Sequence, residues 1–383
     1  MSKIKVLSVF GTRPEAIKMA PLVRTMGESG ELESLVCVTA QHREMLDQVL
    51  SAFSIEPHYD LNIMQPSQTL STITIKALGG LEGVLEQAQP DLVLVHGDTS
   101  TTFAAALAAF YRRVPVGHVE AGLRSFDKYS PYPEEANRRL TGVLADLHFS
   151  PTRQNAENLR REGTTKNVFI TGNTVIDALR TTVCEGYRFE LDALNALDYQ
   201  NRRIVLLTAH RRENYGKPME NIMAAVRQLA QRYPGALFVY PVHLSPYVQQ
   251  TARDALSGLD NVLLIPPLGV LDMHNLMARC HLVMTDSGGL QEEAPALGKP
   301  VLVLRRETER PEAVAAGTVL LAGVEQADIV SAAARLFEDA AAYQAMSHAV
   351  NPYGDGNACR RITQDILYHF GRADAPAEDF FPR

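Results

Sequence analysis

The sequence predicts an α/β protein built from two doubly wound parallel sheets. Short apolar runs alternate with helical patterns along nearly the whole chain. The runs are continuously apolar, as expected of strands buried on both faces. At 383 residues the chain also exceeds what a single core usually supports, so two domains are expected.

In the first series, residues 5–10, 35–39, 92–96, 114–119, 147–150 and 168–171 read as strands separated by helices. A second series follows at 203–208, 236–240, 262–265, 282–285, 301–304 and 319–321. Between them the polar stretch 182–202 breaks the pattern and is the expected connection. The domains are accordingly placed at 1–175 and 176–357. Further on, NPYGDGNA reads as a turn, 360–370 as a helix and GRADAPAEDFFPR as a frayed end. Two open sheets joined this way predict an active site in the interdomain cleft.

Composition narrows the function classes. Forty-six per cent apolar and 21% charged residues fit an ordinary globular enzyme. A net charge of −7, a pI of 5.9 and the lack of a basic run argue against a nucleic-acid partner. No apolar stretch approaches the roughly 20 residues of a spanning helix, and the start, MSKIKVLSVFGT, has no signal-peptide pattern. Cys37, Cys184, Cys280 and Cys359 are far apart with no CxxC, so neither a metal site nor a disulfide framework is expected. A cytoplasmic protein without membrane contact fits best.

Three acids stand where sheet-edge chemistry is expected: Asp98 in VHGDTST, Glu120 in GHVEAGLRS and Glu134 in SPYPEEANRR. Asp98 and Glu120 follow strands, and the carboxyl ends of such strands line the ligand crevice of open α/β sheets. Clustered carboxylates separate in pKa and so divide acid and base roles. Helix capping is the alternative for each acid singly, since Asp98 precedes one predicted helix and Glu134 opens another. In FGTRPEAIK, Gly11 permits a tight turn, while Arg13 and Lys18 bring two cations near a helix start, an arrangement suited to an anion or to a solvated surface pair. The segment TDSGGLQEEA runs strand, turn, helix. It aims the amides of Ser287, Gly288 and Gly289 at a phosphate, with Glu293 one turn on for ribose hydroxyls. His210 and His243 sit at successive strand ends of the second series, suited to proton exchange or hydrogen bonding, and Arg310 suits phosphate contact. Neither GxGxxG nor GxxxxGK[ST] occurs, so no dinucleotide cofactor or nucleotide-triphosphate loop is indicated.

Together, VFGTRPEAIKMAPL, TAQHREMLDQVL, VLVHGDT, HVEAGLRS, SPYPEEANRRLT, ITGNTVIDAL, TAHRREN, TDSGGLQEEAPALGKPVLVLR, TERPEAV and NPYGDGNA resemble the non-hydrolysing UDP-N-acetylglucosamine 2-epimerases of bacteria. The resemblance implies a glycosyltransferase-B-type fold of two Rossmann-like domains, with a helix at about 358–372 packing back on the first. It implies reversible C2 epimerisation of UDP-N-acetylglucosamine to UDP-N-acetylmannosamine with no cofactor. The route is anti elimination of UDP to 2-acetamidoglucal and re-addition, serving surface polysaccharide synthesis. Asp98, Glu120, Glu134, Lys18 and His210 match catalytic positions. Arg13, Arg138, Ser287, Gly288, Gly289, Glu293, Arg310 and His243 match or adjoin substrate-binding ones. A homodimer is implied, as is, in some members, an activating second UDP-N-acetylglucosamine near Gln41 and Arg211; Glu44 stands where some activated relatives carry Gln. The alternatives are C2 epimerisation of another UDP-sugar, such as a diacetamido uronate, and glycosyl transfer from a UDP-sugar.

Overall fold

A computed structural model describes residues 2–40, 43–65 and 68–382, the side chains at 44 and 45 excepted. It divides into two compact units, Met1–Thr181 with Tyr353–Pro382, and Thr182–Pro352. The first carries seven strands: β1 (Ile4–Phe10), β2 (Leu32–Val38), β3 (Tyr59–Asp60), β4 (Leu92–His96), β5 (Val116–Val119), β6 (Leu147–Ser150) and β7 (Val168–Ile170). All pair in parallel, in the order β3-β2-β1-β4-β5-β6-β7. The second carries β8 (Ile204–Thr208), β9 (Leu237–Pro241), β10 (Val262–Ile265), β11 (Leu282–Thr285), β12 (Val301–Val303) and β13 (Val319–Leu321). Their order is β10-β9-β8-β11-β12-β13, again parallel.

Each sheet therefore has one place where the strand order reverses, between β1 and β4 and between β8 and β11. Helices leave such neighbours toward opposite faces, opening a crevice at their carboxyl ends. The central strands are buried throughout, β4 and β8 at every residue, and each fully buried Val or Leu there contributes about 1.5–3 kcal/mol. Thr99 caps the helix Ser100–Tyr111 by accepting from the Thr102 amide (3.1 Å), so Asp98 is not that helix's cap.

Several expectations need correction. β3 was missed: two residues paired with Cys37 and Val38 are too short for a periodic signal. The expected strand at 114–119 begins at Val116, because the Val114 amide is spent on Ala109 at the preceding helix end (2.9 Å). The stretch 182–202 belongs to the second unit. Phe189 and Leu194 are buried, and the Cys184 amide bonds Asn275 (3.0 Å). The helix Ala358–His369 packs on the helix Arg13–Gly27. The tail beyond it is not frayed. Phe380 is buried against Ala156 and Ile170, its amide donates to the Ile170 carbonyl (2.6 Å), and Asp379 accepts from the Ile170 amide (3.0 Å). One buried aromatic and two edge-strand bonds outweigh the composition that suggested fraying. Among the described residues no helix is long and apolar enough to cross a membrane.

Candidate active site

In the first unit the chemistry gathers after β1, β4 and β5. Glu15 ties the first two turns together. It accepts from the Gly11 and Thr12 amides (3.0 and 2.8 Å) and from the Thr99 and Thr102 hydroxyls (2.7 and 3.1 Å). The first turn is thus held by the chain's own carboxylate. Gly11 is needed there for space, since a Cβ would press on the Thr39 and Thr101 hydroxyls.

Lys18, one turn into that helix, pairs with Glu120 Oε2. The same oxygen accepts from Asn173 Nδ2 (3.0 Å) and lies 3.5 Å from His96 Nε2. Burial alone would push Glu120 up, but the charges of Lys18 and His96 prevail and hold its carboxyl well below the usual range. Glu120 adopts φ 65° directly after β5, turning its side chain beside Gly97, where a Cβ would lie 3.8 Å from Glu120 Oε1. Asp98 is clasped by Arg138 through Nε (2.9 Å) and Nη2 (2.7 Å), and Asn137 Nδ2 bonds its carbonyl (2.9 Å). Arg138 also feels the charge of Glu120, so both acids share one electrostatic neighbourhood. Glu134 opens the helix Glu134–Leu144 that carries Asn137 and Arg138; its Oε2 is buried and has no hydrogen-bond partner among the described residues. Arg13 is half-buried at the first position of its helix.

In the second unit the organising group is Asp286, fully buried after β11. It accepts from the amides of His210 (2.7 Å) and Arg211 (2.8 Å) and from Asn214 Nδ2 (3.1 Å). His210 stacks on His243 at 5.3 Å between centroids. Burial pushes the His210 imidazole down, His243 and Arg211 add to this, and Asp286 opposes it. His243 Nδ1 accepts from the Ser245 amide (3.0 Å), so the neutral ring carries its proton on Nε2.

The TDSGG turn departs from expectation at one position. The Ser287 amide is donated to Thr285 Oγ1 (2.9 Å), a local serine/threonine turn that competes for the amide. The amides of Gly288 and Gly289 have no protein acceptor among the described residues. Gly288 faces the Arg310 guanidinium, which a Cβ would meet at 2.7 Å, while Arg310 Nε is anchored on buried Glu292 (2.6 Å). Glu293 lies 3.4 Å from His274 Nε2, whose Nδ1 is shared with Thr182 (2.7 Å).

The structure therefore groups Lys18, Asp98, Glu120, Arg138 and Glu134 in one unit and His210, His243, Ser287, Gly288, Gly289, Glu293 and Arg310 in the other. Gln41 lies outside the described residues; the Arg211 amide is fixed by Asp286. Sequence reasoning missed His96, Asn173, Asp286 and His274. His96 and Asp286 sit immediately at or after strand ends, the same signal that revealed Asp98.

Two Rossmann-like units, each with charged groups at its sheet's switch point, define an α/β enzyme of glycosyltransferase-B type. Residues 24–367 match the family model of UDP-N-acetylglucosamine 2-epimerase. The chain is 54% identical over 382 residues to the UDP-N-acetylglucosamine 2-epimerase of Bacillus subtilis, covering 99% of each. It superposes on an S. aureus MnaA–UDP structure with a TM-score of 0.91 at 51% identity, covering 99% of this chain and 100% of that one. The Neisseria meningitidis UDP-GlcNAc 2-epimerase bound to UDP-GlcNAc gives a TM-score of 0.86 at 51% identity, over 95% of this chain and 100% of that one. The chain belongs to the UDP-N-acetylglucosamine 2-epimerase family.

Proposed function

We propose that the protein interconverts UDP-N-acetylglucosamine and UDP-N-acetylmannosamine without hydrolysis, by anti elimination and re-addition of UDP. The observation that carries this reading is the pair of carboxylates after β4 and β5, Asp98 and Glu120, each bound to a cation, with Glu134 opening the helix that carries Arg138. C2 of the sugar has no adjacent carbonyl, so loss of its proton alone would leave an unstabilised carbanion. In elimination the C2 proton passes to a carboxylate as the C1–O bond breaks and its electron pair leaves with UDP. The 2-acetamidoglucal stays bound, a proton returns to C2 on the opposite face, and the UDP oxygen re-forms the bond at C1. Asp98 and then Glu120 are the preferred proton-transfer groups, and neighbouring carboxylates stabilise positive charge developing at C1.

The second unit is the UDP holder in this scheme. Arg310 and the Gly288 and Gly289 amides face phosphate, Glu293 takes ribose hydroxyls, and His210 assists the departing diphosphate. Arg13 and Arg138 bind substrate in the first unit. A homodimer is supported by exposed Ile75, Phe110, Tyr111, Leu140 and Val143 on the helices Leu70–Ala88, Ser100–Tyr111 and Glu134–Leu144, the middle one packed against the other two. A cytoplasmic location and a role in surface polysaccharide synthesis complete the reading, with Arg211 and Gln41 near any activating second substrate.

The test is incubation with UDP-N-acetylglucosamine in D2O, with no cofactor, followed by proton NMR. Deuterium at C2 together with UDP-N-acetylmannosamine is expected. Free N-acetylmannosamine would establish hydrolysis instead. An inert substrate with intact UDP binding would favour another UDP-sugar or a glycosyl transfer.

A further inference from the structure

Asn173 takes no part in the reaction as written, yet it is almost fully buried and touches the acid cluster. It follows β7, with Nδ2 donating to Glu120 Oε2 (3.0 Å) and Oδ1 accepting from the Val175 amide (3.1 Å). That second bond fixes which end of the amide faces the acid.

The residues on either side are held from far along the chain. The Asn173 amide donates to the Tyr353 carbonyl (2.7 Å). Gly172, at φ 85°, lies so close to the return segment that a Cβ would sit 3.4 Å from Gly354 Cα. Arg361, paired with Asp355 at 2.7 Å, donates to the Thr171 carbonyl (3.2 Å), and Asp177 accepts from the Ala358 and Cys359 amides (3.1 and 2.9 Å). Residues 171–177 are thus fastened to the segment that rejoins this unit at Tyr353. Glu120 needs such support, because a non-glycine residue at φ 65° persists only when its surroundings over-determine it.

We propose that Asn173 is a positioning residue for the Glu120 carboxylate, aimed by the return segment Tyr353–Pro382. The inference rests on the reading of Glu120 as a proton-transfer group. Lys18 supplies charge but sits on a flexible stem. The short amide of Asn173, locked at its other end, fixes where the shared oxygen lies and favours its ionised form.

The test uses Asn173→Asp, which keeps an oxygen for the Val175 amide and nearly the same volume but turns the donor into an acceptor. Asn173→Ala and Glu120→Gln accompany it. In both Asn173 variants kcat is expected to fall about 10- to 100-fold while KM changes less than about 2-fold, as for lost support of a reacting group. The acid limb of kcat/KM, which reports the free enzyme, should rise by about one pH unit in Asn173→Ala. It should rise further in Asn173→Asp, where two adjacent carboxyls share a proton. An unmoved acid limb with a lowered Tm would make Asn173 a structural cap only and overturn the proposal, as would unchanged kcat in both variants. If Glu120→Gln retains full turnover, the reading of Glu120 falls, and the proposal with it.

Discussion

Replacing Lys18 with methionine tests how the first unit keeps a carboxylate ionised in a mostly buried place. The two side chains are 12% and 9% exposed. Methionine preserves much of the apolar stem and removes the charge, leaving Glu120 with Asn173 at 3.0 Å and His96 at 3.5 Å. Removing one partner of a buried pair costs about 3–5 kcal/mol. Because two polar partners remain, the lower bound of about 3 kcal/mol is expected, equal to about two pKa units. In the native protein the folded pKa of Glu120 lies below its ordinary value. The pair's contribution is therefore present above the unfolded pKa and lost as pH falls through the folded one. In the variant the folded pKa rises by about those two units, so the stability deficit should grow as pH rises from below the ordinary carboxylate value through that interval and level off toward neutrality. Urea unfolding followed by circular dichroism across that range measures it. A deficit below about 1 kcal/mol that is flat with pH would put the pair among solvated surface contacts and refute the reasoning.

Asp98→Asn should lower turnover by about 10²- to 10⁴-fold while calorimetric UDP affinity stays unchanged; a parallel loss of UDP binding would count against the division of labour between the units. Gly288→Ala sets a Cβ 2.7 Å from Arg310 Nη1, so overpacking of about 1–3 kcal/mol should weaken UDP binding by roughly 5- to 150-fold. An unaltered Kd would remove this turn from the phosphate site. As a donor to the departing diphosphate His210 places the basic limb on kcat/KM, which should begin below about pH 6.5, since burial, with His243 and Arg211, pushes its imidazole down; a limb above that value would mean that Asp286 dominates. Asp365 is raised to about 7, chiefly by burial. The unfolded chain loses this proton first, so stability drains as pH rises from about 4 to 7. Asp365→Asn should flatten that part of the Tm profile, and an identical slope in both proteins would exclude Asp365 as its source.

Most of the sheet architecture was legible because parallel strands buried on both faces write themselves as uninterrupted apolar runs, as in VLVH before Asp98 and LVMT before Asp286. The acids and cations at their ends were legible as candidates for the same reason: a charge just after such a run stands at the carboxyl edge of the sheet, where open α/β sheets bind ligands. Contacts between distant segments were not. Asn173 and Tyr353 are far apart in sequence, and nothing local marks either as a partner of the other. Phe380 likewise sits in a stretch whose charge and proline suggest disorder; only the edge of β7 gives it a place to dock. His96 was passed over as the last residue of a strand, where a side chain points either into the sheet's packing or out toward the crevice.

The two Glu-Glu pairs show how far a motif can mislead by one residue. Each pair lies in the first turn of a helix, Glu134 and Glu135 in one unit and Glu292 and Glu293 in the other. Neighbours on a helix face different ways, so one member of each pair must turn inward. Inward-facing Glu135 accepts from the Ser125 and Phe126 amides (3.0 and 3.2 Å) and contacts Arg138 (3.3 Å). Inward-facing Glu292 holds Arg310 at 2.6 Å. These acids aim arginines, whereas the proposed scheme gives Glu134 and Glu293, the latter beside His274, to the ligand. Glutamine at 135 or 292 removes half of a buried ion pair and should cost about 3 kcal/mol or more of stability. Glutamine at 134 should instead lower turnover, and at 293 UDP affinity, each with a smaller stability loss than glutamine at 135 or 292. If the stability losses fell on Glu134→Gln and Glu293→Gln, the assignment of inward and ligand-facing acids would be reversed.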